Sequence, residues 1–221
     1  MRFTVGEVLG EAWKLYTRHS GRLIAVGAIV FGFLSAVQAL INSTGQRALI
    51  PISIGITIVG VYWLQGALVV VVEDLRDGKV DLSIGQVFRR VEPRLWTLIG
   101  AGIVAAIGIV AGLSLFVLPG LVLLTFWCLL TPAIVLEQKG VVASFARSQR
   151  LVSGDFLRVF AVIAVTVILA TIVGVMIVAL LSPLPPFFDI YIAGVIANSI
   201  TIPFVALAWT VMFYELRAVK G

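Results

Sequence analysis

The chain has 221 residues, 61% of them apolar and only 12% charged, with a mean hydropathy of +1.14; soluble domains run at about 45–50% apolar and about 25% charged, so a water-soluble fold is excluded. The net charge of +5 raises nucleic acid as a partner, but the basic residues stand beside apolar runs and alternate with acids, which argues against it and fits loops meeting anionic headgroups. The lone Cys128 lies inside an apolar run and rules out an internal disulfide, and no cofactor, metal or catalytic signature is present.

In chain order, residues 1–20 mix Arg2, Lys14 and Arg18 with Glu7 and Glu11 and lack an apolar core, so they are not expected to act as a cleavable signal peptide. Within them, residues 4–16 place Val5, Val8, Leu9, Ala12 and Trp13 at helical spacing behind a Thr4/Glu7 capping box, predicting an amphipathic helix on the membrane surface. Span one covers 23–41 and a short link, 42–47, leads to span two at 48–72. Ser83 opens a second surface helix through Gln86, Val87, Phe88 and Val91. Span three (95–118) and span four (121–136, the shortest) are divided by Pro119-Gly120, read as a turn. A third surface helix, 141–152, carries Val142, Phe145, Gln149 and Val152 along one side, with Arg147 and Arg150 near another. Spans five (159–181) and six (190–214) are joined by a link stiffened by Pro183, Pro185 and Pro186. The fold class is all-α: a six-helix integral membrane bundle, residues 1–221 as one domain, built of three hairpins each preceded by an amphipathic interfacial helix.

Basic residues fix the expected orientation, because Lys and Arg resist translocation. Of the sixteen, only Arg47 falls in an outer link; the rest lie before span one, in the two long loops (Arg76 to Arg94, and Lys139 to Arg158) and after span six. Asp189 is the one acid on the outer side. Both termini and both long loops are therefore expected in the cytoplasm.

An internal repeat is visible. Val5-Gly6-Glu7-Val8-Leu9 resembles Ile84-Gly85-Gln86-Val87-Phe88, and the odd spans are entered through Arg22, Arg94 and Arg158. The even spans leave through an acid, one residue and a base: Asp74-Leu75-Arg76, Glu137-Gln138-Lys139 and Glu215-Leu216-Arg217. These features mark three degenerate units, about 4–76, 83–139 and 141–217. All share one orientation, because each holds two spans, so the repeat is parallel rather than inverted.

Phe116-Val117-Leu118-Pro119-Gly120, then Trp127, Pro132 and Glu137, then Gly140 to Ser148 with Leu151 and Gly154, and the closing Pro203 with Tyr214-Glu215-Leu216-Arg217, resemble the membrane domain of bacterial glycerophosphoryl diester phosphodiesterases and related stand-alone six-helix inner-membrane proteins. The resemblance implies the bacterial inner membrane. It implies no phosphodiesterase chemistry, because that belongs in the fused enzymes to a separate soluble barrel not found in these residues.

Candidate sites are few. His19, the only histidine, has no second ligand beside it. Gly108 and Gly112 form a GxxxG suited to close helix packing. Gln38, Gln65 and Asn198 are polar enough in hydrocarbon to need partners, and with Thr57, Thr166 and Ser199 they are expected to hydrogen-bond across the bundle. Glu137 ends span four close to Arg147 and Arg150: the pair docks the third surface helix, or the arginines grip a lipid phosphate. Docking is preferred, since a partly desolvated arginine near a carboxylate pairs with it. The expected role is a non-enzymatic inner-membrane scaffold or accessory protein whose partners are phospholipids and a soluble or membrane protein. The alternative is a small transporter or lipid-translocating protein using a cleft between hairpins.

Overall fold

The computed structural model describes residues 4–78, 82–183, 185 and 191–220. Arg2, Lys79, Pro186, Asp189 and the side chain of Arg47, used in the charge and link arguments above, lie outside the described residues. Among the described residues the α-helices are, in chain order, α1 (Val5–Thr44), α2 (Ile50–Arg76), α3 (Ile84–Val91), α4 (Leu95–Leu115), α5 (Val117–Trp127), α6 (Leu130–Leu136), α7 (Val141–Val152), α8 (Phe156–Leu181) and α9 (Ala193–Lys220). Short 3-10 turns at Arg47–Leu49 and Glu92–Arg94 introduce α2 and α4. Among the described residues, six stretches are long and apolar enough to cross a membrane, with α3 running into α4 and α5 into α6. The chain is a multi-pass all-α membrane protein, as composition and run lengths predict.

The interior is built mainly from α2 and α9, where Leu64, Leu68, Val71 and Val72 meet Leu207, Val211, Met212 and Phe213. Leu129, Ala133 and Ile134 of span four complete it. Outward-facing Phe33, Ile107, Val110, Ile172 and Met176 are exposed on α1, α4 and α8. In water such a surface would drive aggregation; in a bilayer it is the lipid boundary. Without a hydrophobic force between helices in lipid, small residues allow close packing. α1 packs most extensively along α9, where a Cβ on Gly27 would lie 3.1 Å from the Ser199 Cα. A Cβ on Gly112 would lie 2.9 Å from the Gly120 Cα, and one on Gly108 would meet the Trp127 ring at 2.6 Å. The GxxxG thus seats α4 against α5 within the chain.

Three expectations change. The first surface helix is not separate: it continues into span one as α1, with non-helical geometry at His19 (φ −126°, ψ 23°), whose Nδ1 lies 3.3 Å from the Leu15 carbonyl oxygen. The turn between spans three and four is at Phe116, in extended conformation, and Pro119-Gly120 sit in the first turn of α5. Proline is harmless there, because the first amides of a helix have no internal acceptor. Span four is broken at Cys128-Leu129. Pro132 explains that break, since it has no N–H for the Cys128 carbonyl four residues back and its ring crowds that position.

Candidate functional site: the charged end of the bundle

Charged side chains from distant parts of the chain are paired with one another at one end of the bundle. Thr4 and Glu7 form the first capping box, with Thr4 N–H donating to Glu7 Oε2 at 2.8 Å. Ser83 and Gln86 form the second, with Ser83 N–H donating to Gln86 Oε1 at 2.8 Å. α3 buries Val87 and Val91, and Phe88 stacks edge-on to Trp63 at 5.5 Å while its carbonyl accepts the Trp63 indole N–H.

α7 is held at three points. Glu137 follows α6, where Gln138 turns the chain with a positive φ of 54°. Its carboxylate accepts two parallel bonds from Arg147, Nε to Oε2 and Nη2 to Oε1, each 2.8 Å. The side chains are only 9% and 13% exposed, so this bidentate pair is strong as well as directional. Arg217 approaches the same carboxylate at 3.6 Å. Second, Ser148 is fully buried and enters the break in span four, where its hydroxyl donates to the Phe126 carbonyl at 2.6 Å and accepts the Leu129 N–H at 3.3 Å. Third, the Lys220 ammonium donates to the Leu151 and Ser153 carbonyls at the end of α7, at 2.7 and 2.6 Å, where a cation suits the helix dipole.

The same ammonium lies 2.9 Å from Asp155, which also binds Arg158 at 2.7 Å. The Lys220 hydrogen bond holds the Asp155 carboxyl below the usual carboxylate range, burial opposes this, and Arg158 adds to the lowering.

Elsewhere at this end, Arg22 pairs with Asp74 at 2.9 Å and donates to the Leu82 carbonyl, and Arg94 donates to Gln138 at 2.8 Å. Arg76 reaches Glu11 at 3.3 Å and Glu215 at 3.8 Å and lies 4.5 Å over the Tyr214 ring. The base closing one unit therefore meets the acid closing another in two places, Arg76 with Glu215 and Arg217 with Glu137. No ion pair joins Lys139 to Asp74 among the described residues.

Of the predicted cluster, Arg147 meets Glu137 and Arg150 does not: it is exposed, with no ion pair among the described residues. The side that carries Val142, Phe145, Gln149 and Val152 is turned inward only in part: Phe145 packs edge-on to Trp127 at 5.0 Å, whereas Gln149 is exposed. Ser144, Ser148 and Leu151 are buried with Val152, while Val142 is 82% exposed. Ser148 escapes a reading of the sequence because serine in a helix signals nothing by itself; Pro132, nine residues before α7 begins, is the available clue that span four exposes backbone groups.

The intramembrane polar residues divide. Gln38 accepts from Ser53 of the adjoining helix at 2.8 Å, and Gln65 accepts from Thr131 across the bundle at 3.5 Å. Among the described residues, Asn198 makes no side-chain hydrogen bond and the buried Ser199 hydroxyl has no partner. Thr57 bonds its own helix; Thr166 does so too while accepting the Trp209 indole N–H at 3.1 Å.

Comparison with protein-family models, curated proteins and solved structures finds no match.

Proposed function

We propose that the protein is a non-enzymatic scaffold of the bacterial inner membrane, with its charged end in the cytoplasm, that gathers anionic phospholipid headgroups around its interfacial helices and offers that face to a protein partner. One observation carries the reading. After the ion pairs above are drawn, Lys14, Arg18, Arg89, Lys139 and Arg150 have no acidic partner among the described residues, and they share this end with the exposed rings of Trp13 (59%) and Trp96 (77%). Basic side chains beside tryptophans are the composition of a headgroup interface, where each cation near an anionic leaflet contributes about 1 kcal/mol. Arg147 is not part of this set, because Glu137 already neutralises it. The parallel threefold repeat supports the reading, since each unit brings one interfacial helix to the same face, and the resemblance to phosphodiesterase membrane domains agrees with a lipid-facing role.

Native mass spectrometry of protein released from nanodiscs containing phosphatidylglycerol and phosphatidylcholine tests this. The wild type should retain phosphatidylglycerol preferentially, and exchanging Lys14, Arg18 and Arg89 together for Gln should remove the preference. Equal retention of both lipids, or a preference indifferent to those exchanges, overturns it. Orientation is read separately: a reporter active only in the cytoplasm should work when inserted near Asp77 or Lys139 and be silent near Thr44 or Pro185.

A further inference from the structure

Two cavities of about 290 and 210 Å³, each partly open to the surface of the bundle, lie beside the break in span four, and Gln65, Cys128, Thr131 and Trp209 line both. Gln65 is eleven residues from Arg76 at the charged end of α2, a helical rise of about 16 Å, which places it near the middle of a hydrocarbon layer of about 30 Å. Backbone that leaves the helical ladder at membrane depth is tolerated where it is buried in protein or lines a cavity, and interrupted helices are where membrane proteins build sites for solutes. Here the interruption coincides with unused hydrogen-bonding capacity. Gln65 uses only its carbonyl, at 3.5 Å from Thr131, so its amide donors have no acceptor among the described residues. Pro132 supplies no N–H to the Cys128 carbonyl, which leaves an acceptor at the break. Tyr62 also lines the larger cavity, whereas the Trp209 indole N–H is already used by Thr166. No residue lining either cavity is Asp, Glu, Lys, Arg or His. An ion there would be unpaired in hydrocarbon, while a neutral molecule carrying both a donor and an acceptor satisfies groups that otherwise cost about 1–3 kcal/mol each to leave unmade. Each cavity is far larger than the share of one water, about 30 Å³.

We propose that these paired cavities are a binding site for a small uncharged solute that both donates and accepts hydrogen bonds, held by the Gln65 amide at the break in span four. The site is independent of the headgroup reading, since it shares no residue with the charged end.

Trifluoroacetamide is a suitable probe and trifluoroacetate its charged counterpart of nearly equal size. Fluorine saturation-transfer NMR, with empty nanodiscs subtracted, should show transfer from wild-type protein to trifluoroacetamide and none to trifluoroacetate. Transfer should fall to the empty-nanodisc level in Gln65→Leu, which removes the amide, and should fall in Ala105→Phe, which adds a ring at a buried position of the larger cavity's wall and leaves the amide in place. Circular dichroism and size exclusion confirm that each variant remains folded, and either variant alone suffices. Absence of transfer in the wild type means the cavities hold only water or nothing and overturns the proposal. Equal transfer to the anion, or transfer that survives both substitutions, overturns it as well.

Discussion

Ser148→Ala removes a single oxygen, and its cost follows from where that oxygen sits. The hydroxyl bridges the Phe126 carbonyl and the Leu129 N–H inside a fully buried contact. Its loss leaves two backbone groups unpaired away from water, at about 1–3 kcal/mol each, of which relaxation recovers a part, so the net loss should be about 2–4 kcal/mol. Pro132→Ala supplies a control that a cavity effect would not share. With an N–H returned to the Cys128 carbonyl, span four can close its ladder, and the Leu129 N–H regains an acceptor within its own helix. In that background Ser148→Ala should cost no more than about 1 kcal/mol, a coupling visible in a double-mutant cycle. Reversible unfolding in mixed micelles, followed by tryptophan fluorescence, measures all four proteins. An equal Ser148→Ala penalty in both backgrounds, or none in the wild type, would refute the account of how α7 docks.

Glu137→Gln and Arg147→Gln should each loosen α7, raising hydrogen exchange across Val141–Val152, and the double mutant should add little, because partners in one pair are not additive. Glu137→Gln should cost more, about 2–3 kcal/mol, since it strands a nearly buried guanidinium, whereas Arg147→Gln leaves Arg217 beside the carboxylate; the reverse order would contradict the geometry. Because the Asp155 carboxyl is held below its ordinary value of 3.8, its contribution to stability is fully present above that pH and disappears as pH falls through the lower folded value. Acid titration of the unfolding midpoint should therefore show a decline beginning below about pH 4 that Asp155→Asn removes, while lowering stability at neutral pH. Gly112→Leu should destabilise by about 1–3 kcal/mol as its Cβ meets the Gly120 backbone, whereas Gly32→Ala, with nothing within 4 Å of the new carbon, should be neutral or stabilising in the same assay.

What could be read from the sequence is what is local to a helix. The Thr4/Glu7 and Ser83/Gln86 boxes and the six apolar runs each draw on neighbours a few residues apart, so spacing alone reveals them. Boundaries set by packing are different. Pro119-Gly120 looks like a turn in isolation, yet Gly120 is needed inside α5 so that Gly112 can approach it, and the chain turns at Phe116 instead. Arg147 and Arg150 are equivalent candidates for Glu137 in sequence; the rotation of α7 about its axis separates them, and that rotation is set by Ser148 entering a break whose position depends on Pro132. The same rotation brings Ser144 and Ser148 inward beside Leu151 and Val152 and leaves Val142 outside, an outcome that apolar spacing alone does not reveal.

The pairing of α1 with α9 has a consequence for how the molecule is made. Tyr16 donates to the Ile200 carbonyl across 184 residues of chain, and α1 finds its most extensive partner only in α9. At ribosomal rates of about 5–20 residues per second, that partner follows α1 by roughly 10–40 s. Throughout this interval Gly27 faces lipid or an insertion factor instead of Ser199, and α7 lacks the Lys220 that closes its final turn. An unfinished chain is thus distinguishable from a finished one by an open groove along α1 and a loose α7, features that membrane proteases and chaperones can read.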